Sequence, residues 1–264
     1  MFKKRFIGVI TVKDRLAVQS IAFKKYLPIG DPVILAENLD RWGVDEILVI
    51  SIDRTSKNLG PDLNLLENLS SKGLSTPLTF GGGINCLEHA IAVIKLGAER
   101  ICVDSLLKRS PDVVKKISNH IGAQAIIASL PVCMKDGELN WYNHVQKTLG
   151  PITKAVTELF KGGYLSEALI IDYHNDGSSG DFNLDILSNL SLPNIPVVPF
   201  GGITEMEKVL KILGMQNIIG FGVGNSLSYT EHAVQKFRER LDQNCLRVAQ
   251  YSSMNDYNYD SFPS

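Results

Sequence analysis

The segments Phe80-Gly81-Gly82-Gly83-Ile84 and Phe200-Gly201-Gly202-Ile203 each follow a short apolar run and each open into a stretch with helical spacing. Backbone amides at a glycine turn that runs into a helix N-terminus form a cradle for an anion. Two such turns in one chain predict a ligand with two phosphates. They also predict an internal duplication, because two copies of one structural unit agree at a constant shift without gaps. The shift that lays Glu46 on Glu167 also lays Leu63 on Leu184, Asn68 on Asn189, Leu69 on Leu190 and Ser70 on Ser191, with apolar residues opposite apolar ones between them.

Eight short runs rich in Val, Ile and Leu recur at 6–12, 46–52, 77–80, 100–103, 125–129, 168–172, 196–200 and 217–223. Helical patterns lie between them, for example Leu87, Ile91 and Ile94, or Val209, Ile212 and Leu213, with the spacing of one buried face. Strict alternation of strand and helix predicts a parallel sheet covered by helices. Eight units and a duplication make that an α/β fold of the (βα)8 TIM-barrel type, built from two half-barrels, over residues 1–242. At 264 residues and 44% hydrophobic content the chain has the size of one such barrel. The stretch 243–264, rich in Ser, Asn, Asp and Tyr, has no periodicity and is expected to be a polar, flexible tail.

Composition narrows the function classes. No apolar run approaches the roughly 20 residues needed to cross a bilayer, and the basic-then-apolar start at 1–10 lacks a cleavage-like site, so a first strand is expected rather than a signal peptide. A net charge of -1 argues against a general nucleic-acid binder. Cys86, Cys102, Cys133 and Cys245 have no paired spacing and fit reduced thiols of a cytoplasmic protein. His89, His120, His144 and His232 stand without a carboxylate or cysteine at metal spacing, so neither a metal nor another cofactor is expected. Trp42 and Trp141 are expected to serve packing.

In a barrel of this type chemistry sits at the C-terminal ends of the strands and the opposite face serves stability. The strand exits offer Thr11, Lys13 and Asp14; Ser51, Asp53 and Arg54; Gly81 to Gly83; Asp104 and Ser105; Asp172, His174, Asp176 and Gly177; Gly201 and Gly202; and Gly224, Asn225 and Ser226. The fifth exit, Ser129-Leu130-Pro131, carries no ionisable group. At the entry ends, Arg5, Glu46, Arg100 and Glu167 stand at the starts of the first, second, fourth and sixth strands, where alternating charges can close into a ring.

With these residues in place the chain resembles the cyclase subunit of imidazole glycerol phosphate synthase, a barrel that takes ammonia from a glutaminase partner. The likeness spans residues 1–242. It rests on Lys4-Arg5, Val12-Lys13-Asp14, Gly30-Asp31-Pro32, Asp45-Glu46, Gly81-Gly82-Gly83-Ile84, Gly97-Ala98, Asp136-Gly137-Glu138, Asp176-Gly177 with Gly180, and Gly201-Gly202. The resemblance implies a ligand with a phosphate at each end. One phosphate would lie at Gly83, Asp104 and Ser105, where the family has Asn and Thr in place of the last two. The other would lie at Asp176, Gly177, Gly202, Gly224 and Asn225. Tight turns needing positive φ are the alternative explanation of the glycines.

The family's two catalytic aspartates, an acid and base pair, fall on Thr11 and Pro131. A threonine is no base near neutral pH and a proline side chain neither donates nor accepts a proton, so loss of the family reaction is expected and the catalytic residues are unassigned. The resemblance makes Arg5, Glu46, Arg100 and Glu167 an ammonia gate, with Arg100 where the family usually has Lys; a structural ionic plug is the alternative. Three functions follow. The first is a barrel that receives ammonia from a glutaminase subunit and passes it to a separate amidating enzyme in sugar or surface-polysaccharide biosynthesis, as divergent second-copy relatives are thought to do. The second is the histidine-pathway cyclase itself, a lyase. The third is an inactive scaffold that binds a phosphorylated small molecule.

Overall fold

Strict alternation along the strands sets the architecture. The computed structural model describes residues 3–177, 182–192, 195–228, 233–241 and 245–247. Gly180, His232 and most of the 243–264 stretch lie outside these described residues. Its strands are β1 (Arg5–Lys13), β2 (Leu16–Ile21), β3 (Lys25–Gly30), β4 (Glu46–Ser51), β5 (Leu78–Gly81), β6 (Arg100–Val103), β7 (Ile126–Lys135), β8 (Glu138–Asn143), β9 (Thr148–Gly150), β10 (Glu167–Asp172), β11 (Val197–Phe200) and β12 (Gly220–Val223). Parallel pairing runs β12-β1-β4-β5-β6-β7-β10-β11. The ring closes where Val197 donates its N–H to Asn217 O at 2.8 Å and accepts from Ile219 N at 3.0 Å. The eight expected strands are these eight, with ends close to those expected except that β7, expected to end at 129, runs on to Lys135.

Odd positions of β1 (Ile7, Val9) and β10 (Leu169, Ile171) and even positions of β4 (Leu48) and β6 (Cys102) join Ile127, Val198 and Phe200 in the barrel interior. The opposite parity, Phe6, Ile10, Ile47, Val49, Ile101, Ala168 and Ile170, packs under the helices. These helices are α1 (Pro32–Trp42), α2 (Leu63–Ser70), α3 (Leu87–Lys95), α4 (Ser105–Arg109), α5 (Pro111–Ile121), α6 (Lys154–Lys161), α7 (Leu184–Ser188), α8 (Met206–Gly214) and α9 (Ala233–Arg240). Local chemistry starts and stops them. Before α1, Asp31 accepts from Val33 N, Pro32 fills the first turn, and Gly43 closes the end at φ 82°. The duplication is visible at this level: β4 and β10 start at the matched glutamates, and Asp62 and Asn183 cap α2 and α7 through their side chains.

Two hairpins were not expected from the strand pattern. β2 and β3 extend β1, and β8 and β9 extend β7, all antiparallel and all at the C-terminal end of the barrel. Each first turn has two consecutive positive-φ residues, Asp14-Arg15 and Asp136-Gly137, the backbone of a two-residue hairpin loop. Over the mouth the hairpins meet: Phe23 packs on Tyr173 at 5.5 Å between ring centroids, and Tyr142 stacks on Tyr173 at 4.0 Å. Residues 245–247, assigned above to a loose tail, are seated against β1's entry. Lys4 N donates to Cys245 O at 2.8 Å and Leu246 is buried. Trp141 is fully buried, with Lys108 Nζ 3.9 Å above its ring, and Trp42 packs partly buried against the core.

Candidate functional site

Parity decides what reaches the mouth. Continuing the inward positions of β1, β6 and β7 brings Thr11, Asp104 and Pro131 to a cavity of about 790 Å3, open to solvent, which Gly83, Ser105, His144 and Asp176 also line. An adjoining hollow of about 610 Å3 is lined by Gly177, Gly202, Gly224 and Asn225, and shares Asp176 and Phe200 with the first. The eight residues expected to hold a phosphorylated ligand therefore border one continuous mouth, in two groups at its two glycine turns.

The turns have nearly the same backbone, with φ 106° and 75° at Gly82 and Gly83, and 96° and 74° at Gly201 and Gly202. Space as well as φ demands glycine: a Cβ on Gly82 would stand 2.1 Å from Ser51 O, and one on Gly83 2.2 Å from Gly60 O. Gly177 is tighter still, 1.7 Å from Ser20 O at φ 66°. Gly177→Ala is expected to cost about 2–3 kcal/mol in urea unfolding, from overpacking and strain together. Gly73→Ala, at φ 62° in open space, is expected to cost about 1 kcal/mol. Equal losses would show that φ alone matters.

The two turns differ at one amide, since among the described residues those of Gly82, Ile84 and Ser105 at the first also have no protein acceptor. Gly83 N donates to Thr55 Oγ1 at 3.2 Å. Among the described residues, the amides of Gly177, Gly202 and Asn225 have no protein acceptor. Asn225 Nδ2 donates to Ser20 O at 2.6 Å, holding that loop against β2.

Three acids of the strand exits have distinct environments. Asp172 is buried and accepts from His174 N, Asn175 N, Asn175 Nδ2 and Asn183 N, so it shapes the loop after β10. Asp176 is also buried and accepts from Ser20 Oγ at 2.6 Å; burial pushes its carboxyl up to about 6, against that hydrogen bond. Asp104 lies 3.1 Å from His144 Nδ1, an ion-pair distance outside hydrogen-bond geometry. Burial pushes Asp104 up to about 6, opposed by His144 and Lys108. His144 Nε2 is 3.2 Å from Ser105 Oγ, so this histidine spans both residues. At the rim, Lys57 pairs with Asp53 at 2.7 Å and with Asp14.

At the opposite end, inward parity brings the four ring residues together. Arg5 Nη1 is 2.7 Å from Glu46 Oε2 and Arg5 Nη2 is 2.5 Å from Glu167 Oε2. Arg100 Nη1 is 3.0 Å from Glu167 Oε2 and 3.9 Å from Glu46 Oε2. Outer hydrogen bonds fix the ring: Thr79 Oγ1 donates to Glu46 Oε1 at 2.6 Å, and Arg100 donates to Gln124 O and Ser166 Oγ. Between ring and mouth the interior is apolar. Its Cys102 thiol, pushed up to about 12 by burial, stays neutral.

Sequence reasoning missed His144, Thr55 and Ser20 at the mouth. The Asp136-Gly137 turn followed by alternating Leu139 and Trp141 is a hairpin signal that could have placed His144 at the mouth, where it meets Asp104 and Ser105 of the fourth exit. Among the described residues no three His, Cys, Asp or Glu side chains gather as metal ligands, and no helix is long and apolar enough to cross a membrane.

A closed eightfold β/α barrel with paired glycine turns at the C-terminal mouth and a charged ring at the other end defines the class. The chain belongs to the family described as histidine biosynthesis protein, whose model matches residues 5–233. It is 30% identical over 219 residues to imidazole glycerol phosphate synthase subunit HisF of an Exiguobacterium species, covering 81% of this chain and 84% of that one. It is 28% identical over 265 residues to a Vibrio vulnificus protein provisionally named imidazole glycerol phosphate synthase subunit hisF2, covering 98% and 96%. The HisF subunit of Natranaerobius thermophilus is 26% identical over 252 residues, covering 94% and 99%. The resemblance read from the motifs is thus to the right family.

Proposed function

We propose that the chain is the barrel subunit of a glutamine amidotransferase pair that has left the cyclase reaction of its relatives. A glutaminase subunit docks at the N-terminal face and releases ammonia there. Arg5, Glu46, Arg100 and Glu167 gate its entry, the apolar interior carries it as the neutral molecule, and it leaves at the mouth for a separate enzyme that amidates a sugar. The observation that supports this reading is the pairing of an intact charged ring with Thr11 and Pro131 at the inward positions of the mouth. Neither side chain transfers a proton near pH 7.

The test is glutamine hydrolysis by a purified glutaminase subunit from the same organism, with and without the barrel. Stimulation of at least tenfold and a stable complex in gel filtration are expected. Absence of both removes the basis of the proposal. The relatives' names favour a second reading, the cyclase subunit itself, and Asp104, His144 and Asp176 give the cavity titratable groups of its own. Imidazole glycerol phosphate formation from the ribulosyl aminoimidazole precursor with ammonium salts separates the two: turnover at a relative's rate establishes the cyclase.

A further inference from the structure

The two turns share a backbone but not their surroundings. At the first, the Gly83 amide is occupied by Thr55 Oγ1 and a carboxylate, Asp104, stands in the cavity wall. Asp104 immediately precedes α4, where an aspartate ordinarily accepts from a helix amide; it makes no such bond and lies instead beside His144 Nδ1 at 3.1 Å. His144 Nε2 in turn reaches Ser105 Oγ at 3.2 Å. Lys108, which acts on Asp104 after His144, holds its Nζ over the Trp141 ring and does not line the cavity. Beside the Ser105 amide, which has no protein acceptor among the described residues, this end therefore sets an acidic oxygen, a hydroxyl and an imidazole nitrogen. Such a set suits a hydroxyl or an amine and repels a phosphate.

At the second turn the balance is reversed. The amides of Gly177, Gly202 and Asn225 are free of protein acceptors among the described residues. The nearby carboxylate of Asp176 is buried, and its Oδ2 is taken by Ser20 Oγ. Free amides converging on a hollow at a glycine turn are the donors an oxyanion needs.

We propose that the mouth takes a ligand with a single phosphate, seated at Gly177, Gly202 and Asn225, whose far end is a hydroxyl or amino group held by Asp104, Ser105 and His144. The proposal rests on the mouth being a ligand site, as the proposed function has it, and is independent of the ring and of the glutaminase. It assigns Asp104 as the residue that sets specificity against a second phosphate.

Calorimetric titration of the full chain at pH 7.5 with ribose 5-phosphate and with ribulose 1,5-bisphosphate tests it. The unaltered protein is expected to bind the monophosphate, and to bind the bisphosphate no more than threefold more tightly. Asp104→Asn is expected to tighten the bisphosphate at least tenfold and to weaken the monophosphate, whose far hydroxyl loses its charged acceptor. A bisphosphate preference above threefold in the unaltered protein overturns the proposal without recourse to any variant. So does a folded Asp104→Asn protein with a smaller gain. Failure of both sugars to bind overturns it as well, and leaves the glutaminase reading to stand or fall on glutamine hydrolysis.

Discussion

Arg5→Ala is expected to destabilise the barrel by about 3–5 kcal/mol, the range for removing one partner from a buried ion pair. The alanine leaves Glu46, 3% exposed, with Arg100 at 3.9 Å and the Thr79 hydroxyl as its remaining partners. Among the described residues Glu167 keeps only Arg100 as an ion-pair partner, at 3.0 Å from its Oε2. Two carboxylates would then share one guanidinium in a largely dry setting, where the desolvation cost is no longer offset. At about 2–4 °C per kcal/mol for a domain near this size, the midpoint should fall by roughly 6–20 °C. Replacing Arg5, Glu46, Arg100 and Glu167 together by Met and Leu is expected to recover most of that loss, because no unpaired charge remains. The two variants separate gate from plug. A pure plug predicts that the apolar ring keeps full stimulation of the glutaminase, whereas a gate predicts its loss in a protein of near-normal stability. A loss below 1 kcal/mol for Arg5→Ala would show that water reaches the ring freely.

The ring was legible in the sequence because its logic is local to each strand. Arg5, Glu46, Arg100 and Glu167 sit at strand starts, and the period of two that places Ile7, Leu48, Cys102 and Leu169 inside places them inside too. The same holds for Thr11, Asp104 and Pro131 at strand exits, and for the glycine turns, whose φ values are written in the residue type. What escaped reading depends on contacts distant along the chain. His144 meets Ser105 39 positions away, and Thr55 meets Gly83 28 positions away. A search for metal spacing looks along the sequence, so it discards a histidine whose partners arrive from another strand exit. The hairpins escaped for a different reason. Lys25–Gly30 is mostly exposed and lacks the apolar run that marked the barrel strands, so its strand character comes from pairing with β2 rather than from its own pattern.

Thr11→Asp combined with Pro131→Asp is expected to raise ammonium-dependent imidazole glycerol phosphate formation by at least about a hundredfold, the ordinary worth of general acid and base groups. Both positions face the cavity from different strands, and in the sheet register Thr11 lies opposite Ile50 and Pro131 opposite Ile171. Each single replacement should give far less, because ring closure with bond cleavage needs a donor and an acceptor together. The new carboxylates enter a cavity that already holds Asp104 and Asp176, both raised to about 6. Like charges and burial will raise them too, which favours one of the pair as a general acid near neutral pH. The double variant alone should saturate poorly. The substrate implied by the resemblance carries a phosphate at each end, and Asp104 opposes one of them. Adding Asp104→Asn should lower KM by about tenfold while leaving kcat within about threefold, since the change acts on binding and not on the proton transfers. A gain in kcat instead would place Asp104 among the reacting groups, and equal activity of the double and triple variants would mean that its carboxylate does not meet the ligand at all.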